Sequence, residues 1–260
     1  RFVNCFTMQQ IDHTKNIIEL QNISFSYNGE KVLDTIHLAI HQGDYLGIIG
    51  PNGGGKSTLL KIMLGLLLPD SGKVTLFGED IKKFHQRWKI GYVAQKASHF
   101  DTNFPLTVEE VVSMGRFAKK GLFHTITKED TDAIKEALCQ VEMLQFKNRL
   151  IGDLSGGQQQ RIFIARALAG EPEVIILDEP TVGVDVKAQE QFYSLLKKLN
   201  QELHLTLVLV SHELDVVAHE ATEIACINKE LVYHGAPKEF LEGDYFEKLY
   251  GKGVKFILHK

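Results

Sequence analysis

A glycine-rich loop between an apolar run and a helix-like stretch decides the fold. The loop reads Gly50-Pro51-Asn52-Gly53-Gly54-Gly55-Lys56-Ser57-Thr58, the apolar run before it covers residues 45–49, and the helix-like stretch covers residues 59–67. Glycines permit positive φ angles and let backbone N–H groups converge closely on an anion. The N-terminus of the following helix adds a partial positive charge. The stretch therefore predicts a phosphate-binding loop in which Lys56 reaches the terminal phosphates and the Ser57 hydroxyl ligates Mg²⁺. The alternative is a glycine-rich turn that matches by accident, and the flanking strand and helix argue against it.

Short β-branched runs alternate with amphipathic stretches around this loop. Strands are predicted at residues 17–20, 45–49, 73–77, 90–93, 174–177 and 205–210. Three of them, at 45–49, 174–177 and 205–210, are apolar nearly throughout, as strands buried on both faces are. Two further short strands are predicted after Ser211. The alternation is typical of an α/β fold.

Residues 96–165 interrupt this alternation. Helices are predicted at 108–114, 128–143 and 158–169, and no convincing strand lies between them. Thr127 is a candidate N-cap for the second of these helices, which has two acidic residues in its first turn. We interpret the stretch as a helical subdomain inserted into the α/β core.

Composition and charge restrict the class of protein. The 260 residues are 44% hydrophobic and 24% charged, typical of a soluble globular protein, and the net charge of -4 gives no cationic excess for nucleic acid. The apolar runs are far shorter than the roughly 20 residues needed to cross a bilayer. We therefore expect no nucleic-acid partner, and any membrane role requires a partner protein.

The cysteines and the chain start indicate a cytosolic protein. Cys5, Cys139 and Cys226 are odd in number and far apart, which favours a reducing compartment over a disulfide framework. No secretory leader is recognisable. Met8 is expected to lie near the natural start, with residues 1–7 an upstream extension.

A pair of carboxylates follows a predicted buried strand. Asp178 and Glu179 stand directly after the run 174–177, and ligands gather at the carboxyl ends of parallel strands. Asp178 would hold Mg²⁺ through water, and Glu179 would activate the attacking water as general base. An Asp-Glu pair at a strand end is common on surfaces, so this interpretation depends on the phosphate-binding loop.

The string Leu154-Ser155-Gly156-Gly157-Gln158 stands before a predicted helix and about 20 residues ahead of Asp178. It resembles the signature motif of the ATP-binding-cassette (ABC) ATPase family. Small residues at a helix N-terminus form a second anion site, so the chain carries two half-sites for a triphosphate. The resemblance implies that ATP lies between the phosphate-binding loop of one subunit and Ser155, Gly156, Gly157 and Gln158 of the other.

Four further residues match positions of that family. Tyr27 matches the aromatic residue that stacks on adenine, although an isolated tyrosine is more often a packing residue. Gln95 matches the glutamine that contacts Mg²⁺ and the attacking water. Asp185 matches a loop that contacts the other subunit, and its alternative role is to cap the following helix. His212 matches the histidine that contacts the terminal phosphate and orders Glu179.

The resemblance extends over residues 17–243 and implies a fold, cofactors and partners. The implied fold is a P-loop NTPase with a RecA-like parallel-sheet core, an N-terminal antiparallel β part and an inserted α-helical subdomain. We expect one ABC ATPase domain at 8–243, with its core at about 17–95 and 166–235, its helical subdomain at about 96–165, and a tail at 244–260. The implied cofactors are ATP and Mg²⁺, and the catalytic residues are Glu179, His212 and Gln95. The implied partners are a second copy of the chain and integral membrane permease subunits, which place the protein at the cytoplasmic face of the membrane.

Three stretches of the sequence indicate the cargo. The stretch Phe104-Pro105-Leu106-Thr107-Val108-Glu109-Glu110-Val111-Val112-Ser113-Met114-Gly115-Arg116, the string Thr181-Val182-Gly183-Val184-Asp185 and the string Tyr233-His234-Gly235-Ala236-Pro237 resemble the ATPases of zinc and manganese uptake systems. Such systems include an extracytoplasmic metal-binding protein, which this chain would serve indirectly. The alternatives are an importer of iron chelates or another small solute, and a soluble ABC protein acting on DNA or ribosomes. The ATPase itself is expected to carry no metal site built from its 11 histidines, because local spacing assembles no ligand set; His37 and His41, for example, lie four residues apart in a predicted strand.

Overall fold

The computed structural model describes residues 15–95, 105–121, 125–181, 184–211 and 214–243, together with Tyr245 and Leu249. The elements in chain order are β1 (Asn16–Tyr27), β2 (Glu30–His41), β3 (Tyr45–Ile49), α1 (Lys56–Met63), β4 (Ser71–Leu76), β5 (Glu79–Asp80), β6 (Ile90–Val93), α2 (Val108–Ser113), α3 (Phe117–Lys120), α4 (Lys128–Gln140), α5 (Gly156–Ala169), β7 (Val174–Asp178), α6 (Val186–Leu203), β8 (Thr206–Val210), α7 (Leu214–Glu220), β9 (Glu223–Asn228), β10 (Glu230–Gly235) and α8 (Pro237–Glu242). They belong to two compact units: residues 1–84 with 197–260, and residues 85–196. The predicted limits of the catalytic core and the helical subdomain remain predictions.

An antiparallel sheet forms the N-terminal part of the first unit. Its strand order is β2-β1-β4-β5. The β1–β2 hairpin closes with a two-residue loop, Asn28-Gly29, between the paired residues Tyr27 and Glu30. Both loop residues have positive φ, 50° and 84°, and Asn-Gly is the sequence that such a tight hairpin turn favours.

The other sheet strands of this unit are centred on β3. Strand β3 pairs in parallel with β8 on one side and β9 on the other, and β10 pairs antiparallel with β9. Every residue of β3 and β8 is buried. The prediction that these two runs are strands buried on both faces is confirmed, and β3 leads directly into the glycine-rich loop.

The second unit combines two parallel strands with helices. Strand β6 pairs with β7 in a register that sets Ile90 opposite Val174 and Val93 opposite Leu177. Helices α2, α4 and α5 each begin with a capping box, formed by Thr107 with Glu110, Thr127 with Asp130 and Ser155 with Gln158. The predicted N-cap at Thr127 is confirmed. Among the described residues of 105–165, the β-pairing is limited to an isolated bridge between Thr107 and Leu150.

A buried arginine ties the helices of the second unit together. The Arg116 side chain is fully buried; its Nε donates to Asp130 Oδ1 at 2.8 Å, and its Nη1 donates to the Ala169 carbonyl at 2.9 Å and to Glu171 Oε1 at 3.0 Å. Burial alone would raise the pKa of Glu171, but hydrogen bonds and charges from Lys119 and Arg116 outweigh it and lower that pKa. These contacts therefore stabilise the unit at neutral pH, and the contribution of Glu171 is lost as the pH falls through its lowered pKa.

Helix α6 begins in the second unit and ends in the first. Within the part of the chain that the structure describes, no helix is long and apolar enough to cross a membrane.

Candidate nucleotide-binding and hydrolysis site

The glycine-rich loop is shaped by close packing against the end of β9. A Cβ atom at Gly54 would lie 2.8 Å from the Ile227 carbonyl oxygen and 3.0 Å from that of Pro51. The Gly54 carbonyl accepts a hydrogen bond from the Lys229 backbone N–H at 2.9 Å. Glycine at position 54 is thus required by the close backbone contacts.

Gly55 sets the entry into helix α1. It is the N-cap residue and has φ 98° and ψ 0°, a left-handed conformation without a side-chain cap. The first backbone N–H groups of an α-helix have no partner within the helix, and here no capping side chain occupies them. The start of α1 is therefore built as an anion-binding end.

Lys56 and Ser57 stand at this helix start in different environments. The Lys56 side chain is buried, and its Nζ donates to the carbonyl oxygens of Gly50 and Pro51 at 2.8 and 3.0 Å. These bonds hold the ammonium group over the loop. Ser57 is exposed, which leaves its hydroxyl accessible to a ligand.

Tyr27 lies at the end of β1 with 42% of its surface exposed. One edge-to-face contact with Phe25, with ring centroids 4.8 Å apart at 82°, orients its ring. An exposed, oriented aromatic ring is suited to stacking on a flat ligand. The packing explanation accounts for the Phe25 contact and leaves the exposure unexplained.

The predicted catalytic pair of the second unit is in contact. Gln95 Nε2 donates to Glu179 Oε2 at 2.5 Å, although 84 residues separate them. Asp178 is the last residue of β7, and Glu179, one residue further, has φ 45°. That left-handed backbone is uncommon for a residue other than glycine and costs energy, a kind of strain that clusters at functional sites.

Tyr92 is a member of this group that the sequence did not reveal. Burial raises the pKa of the Tyr92 hydroxyl, and the charge of Asp178, to which it hydrogen-bonds, raises it further. The phenol therefore stays protonated and donates to the carboxylate, which fixes the orientation of Asp178. Only the β6–β7 pairing could have indicated this contact, since it sets Tyr92 opposite Ile176, two residues before Asp178.

The signature string straddles the start of helix α5. Ser155 is the N-cap: its Oγ accepts from the Gln158 backbone N–H at 3.4 Å, while the Ser155 N–H donates to Gln158 Oε1 at 3.0 Å. Gly156 and Gly157 form the first turn, so the helix begins two residues earlier than predicted. Ser155 and Gly156 are exposed, and the Ser155 hydroxyl retains a proton to donate.

Helix α5 also contacts the segment that follows Glu179. The Gln160 side chain is buried, and its Nε2 donates to the Pro180 carbonyl oxygen. The Thr181 hydroxyl hydrogen-bonds to Tyr193 Oη at 2.8 Å, and Gln189 Nε2 donates to the Thr181 carbonyl oxygen at 3.3 Å. The signature helix and the catalytic segment are thus held in one arrangement, a link that the sequence motifs did not indicate.

Asp185 caps helix α6. Its Oδ1 accepts from the Ala188 backbone N–H at 3.0 Å, and its backbone carbonyl accepts from the Gln189 N–H at the same distance. The capping alternative is confirmed. Asp185 is exposed, and its predicted role toward a second subunit stays a prediction.

Several predicted residues lie outside the described residues. They are Phe104, Val182, Gly183 and His212. Residues 105–116, the described part of the stretch that resembles metal-uptake ATPases, contain the capping box of α2 and the buried Arg116. Those residues build the second unit.

Comparisons with known proteins agree with this geometry. Residues 33–182 match the family described as ABC transporter. The zinc uptake system ATP-binding protein ZurA of Listeria innocua is 49% identical over 224 residues, which cover 86% of this chain and 87% of that protein. The manganese transport system ATP-binding protein MntB of Listeria monocytogenes is 41% identical over 234 residues, which cover 90% of this chain and 96% of that protein. A solved structure, described as the dimeric post-hydrolysis state of an ATP-binding cassette bound to ADP and Pi, matches with a TM-score of 0.71 and 31% identity over 85% of this chain and 98% of the other.

The chain therefore belongs to the ABC transporter family. It is an ATP-hydrolysing subunit of that family, and the predicted P-loop NTPase α/β fold is confirmed.

Proposed function

We propose that this chain powers the uptake of zinc or manganese by a membrane transporter. The observation that carries the proposal is the identity of 49% to a zinc uptake ATPase and of 41% to a manganese transport ATPase, each over at least 86% of both chains. The chain would act at the cytoplasmic face of the membrane, bound to integral permease subunits. An extracytoplasmic metal-binding protein would deliver the cargo to the permease and would not contact this chain.

The first unit would bind ATP. Loop residues 50–58 supply backbone N–H groups and the Lys56 ammonium to the phosphates, and Tyr27 stacks on the adenine. When nucleotide arrives, Lys56 exchanges part of its contact with the Gly50 and Pro51 carbonyls for the more strongly charged phosphate oxygens. The loop is therefore preformed, and little reorganisation opposes binding.

The second unit would perform hydrolysis. Glu179 takes a proton from the attacking water, Gln95 holds the Glu179 carboxylate and the water, and His212 contacts the terminal phosphate. The Ser57 hydroxyl of the first unit, and the Gln95 amide and Asp178 carboxylate of the second, the last through water, would each offer Mg²⁺ a hard oxygen donor of the kind that it prefers. When bound, it neutralises charge on the phosphates.

The signature string would complete the site from a second copy. Its helix start presents Ser155, Gly156, Gly157 and Gln158 to the triphosphate bound by the other subunit, and Asp185 contacts the same interface. Each ATP then touches both subunits, so ATP binding favours the closed dimer, and cleavage of the γ-phosphate removes that preference. The cycle of closing and opening would change the side of the membrane to which the permease is open.

Gly156→Glu should prevent ATP-driven dimerisation while preserving the folded subunit. A Cβ at Gly156 meets nothing within 4 Å, and an acidic residue in the first turn is favourable for helix α5. Across the dimer, however, the carboxylate would face a triphosphate, a like-charge contact that costs on the order of several kcal/mol. Size-exclusion chromatography with light scattering, in a Glu179→Gln background with ATP, should give a dimer without the Gly156 change and a monomer with it.

The matched control is Gly156→Ala, which adds a methyl group without charge and should keep the dimer. ATP affinity measured at a chain concentration too low for dimers should be equal in all three proteins, because the loop of the same chain is unchanged. A Gly156→Glu protein that dimerises as well as its control would contradict the assignment of the signature string to the partner's nucleotide.

The cargo is tested by uptake in cells that lack their own zinc and manganese importers. The chain, expressed with a candidate permease subunit, should restore accumulation of radioactive Zn²⁺ or Mn²⁺ and should co-purify with that polytopic membrane protein. The Lys56→Ala variant, expressed equally, should restore neither metal. Accumulation of an iron chelate alone would favour the other importer class, and failure to co-purify with any membrane protein would favour a soluble ABC machine.

A further inference from the structure

Four side chains of the first unit form a histidine–carboxylate cluster away from the glycine-rich loop. The cluster consists of His41, Asp44, Glu223 and His234. One ligand atom each from His41, Asp44 and Glu223 lies within 4.8 Å of the others. His41 Nδ1 is 3.1 Å from Asp44 Oδ2, and His234 Nε2 is 3.0 Å from Glu223 Oε2. The expectation that the histidines assemble no ligand set considered only local spacing, and Glu223 lies far from His41 in the sequence.

The backbone around the cluster is fixed by hydrogen bonds. The Tyr45 backbone N–H donates to Thr222 Oγ1 at 2.9 Å, and the Thr222 N–H donates to the Tyr45 carbonyl at 2.8 Å. These bonds join the neighbours in sequence of Asp44 and Glu223. The Gly43 N–H also donates to Thr206 Oγ1 at 2.9 Å. The cluster therefore lies at strand ends and on a turn held by hydrogen bonds, a rigid support of the kind that a metal site requires.

The cluster contains two carboxylates and is partly exposed to solvent. The Asp44 side chain is 9% exposed, whereas those of His41, Glu223 and His234 are 29%, 32% and 25% exposed. A buried carboxylate next to a second carboxylate is stabilised by a cation. The partial exposure of His41 and Glu223 gives an ion access to the cluster.

We propose that His41, Asp44 and Glu223 bind a divalent transition-metal ion, with His234 orienting the Glu223 carboxylate. One imidazole nitrogen and two carboxylate oxygens are ligands that Zn²⁺ takes at about 2.0–2.2 Å, with water in the fourth position. Ligand atoms in such a tetrahedron lie roughly 3.4 Å apart, so a pair separated by up to 4.8 Å needs to approach by at most about 1.4 Å. A second side chain that hydrogen-bonds a ligating carboxylate is typical of protein metal sites. The imidazole favours Zn²⁺ over Mn²⁺ and over Mg²⁺.

The proposed site is separate from the nucleotide site. Asp44 and Glu223 lie at the starts of β3 and β9, which pair in parallel with Leu46 opposite Glu223. The glycine-rich loop follows the other end of β3, which has five residues and therefore spans about 16 Å. Metal binding there needs neither ATP nor the permease, so its absence would leave the transport proposal unaffected.

Isothermal titration of the purified, untagged chain with Zn²⁺ tests the site, in excess Mg²⁺ and without nucleotide. We expect one equivalent to bind, and more than about tenfold weaker binding in His41→Ala and in Glu223→Gln. The matched control is His37→Ala, which removes an exposed imidazole from the same strand and should bind as the unchanged chain does. Glu223→Gln preserves side-chain shape, so it still tests the ligand role if His41→Ala loosens the turn.

X-ray absorption at the zinc edge separates this site from binding by the cysteines. The sample with one equivalent should show nitrogen and oxygen neighbours at about 2.0–2.2 Å and no sulfur at about 2.3 Å. Sulfur in the first shell, equal Zn²⁺ affinity in the unchanged chain and both cluster variants, or no saturable binding by the unchanged chain would each overturn the proposal.

Discussion

Glu179→Gln should lower ATP turnover by about 100- to 10,000-fold, the range that a positioned general base contributes. The glutamine amide cannot accept a proton from water at neutral pH, so the attacking water is no longer activated. ATP binding should be preserved, because the loop at residues 50–58 is unchanged. Phosphate release at saturating ATP measures the loss, and a nucleotide titration measures the preserved affinity.

The substitution isolates chemistry from structure. Gln95 Nε2 donates to Glu179 Oε2, and the glutamine carbonyl oxygen can accept the same bond. The backbone at position 179 has φ 45°, which is equally unfavourable for glutamate and glutamine. Folding stability should therefore change little, and the variant should accumulate as an ATP-bound dimer.

Glu190→Gln provides the matched control, because Glu190 is an exposed carboxylate on helix α6 of the same unit. It should retain the turnover of the unchanged chain. Unchanged turnover in Glu179→Gln would mean that another group activates the water, and the role proposed for Glu179 would be wrong.

Local sequence patterns were sufficient for the buried strands and the loop, whereas the predicted strand at 17–20 covers only part of β1 (Asn16–Tyr27). The run at 45–49 is apolar nearly throughout because β3 has a strand on each side, and its predicted bounds equal the observed ones. Glycine is suited to position 55 because the backbone of this N-cap residue is left-handed. These features are set by residues within a few positions of one another, so a single sequence reveals them.

Contacts between distant segments could not be predicted in the same way. The contact of Tyr92 with Asp178 and that of Gln160 with Pro180 depend on how strands and helices pack. The same holds for Glu223 beside Asp44, which local spacing could not reveal. The positive φ of Glu179 was equally hidden, since glutamate does not favour that conformation.

Lys56→Ala should weaken ATP binding by about 10- to 100-fold, because a hydrogen bond to a charged group contributes about 1.5–3 kcal/mol. Two effects add to this loss. The substitution removes the positive charge that faces the phosphates, and it removes the bonds from Nζ to the Gly50 and Pro51 carbonyls that hold the start of the loop. Titration with a fluorescent ATP analogue gives the affinity directly.

Lys61→Ala separates charge at the phosphates from charge on the helix in general. Lys61 is exposed in the last turn of the same helix α1, so its loss changes the net charge of the chain equally without approaching the loop. It should leave ATP affinity within about twofold of the unchanged chain. If both variants bound ATP alike, the ammonium of Lys56 would have no special contact with the triphosphate, and binding would have to depend on the backbone N–H groups of the loop alone.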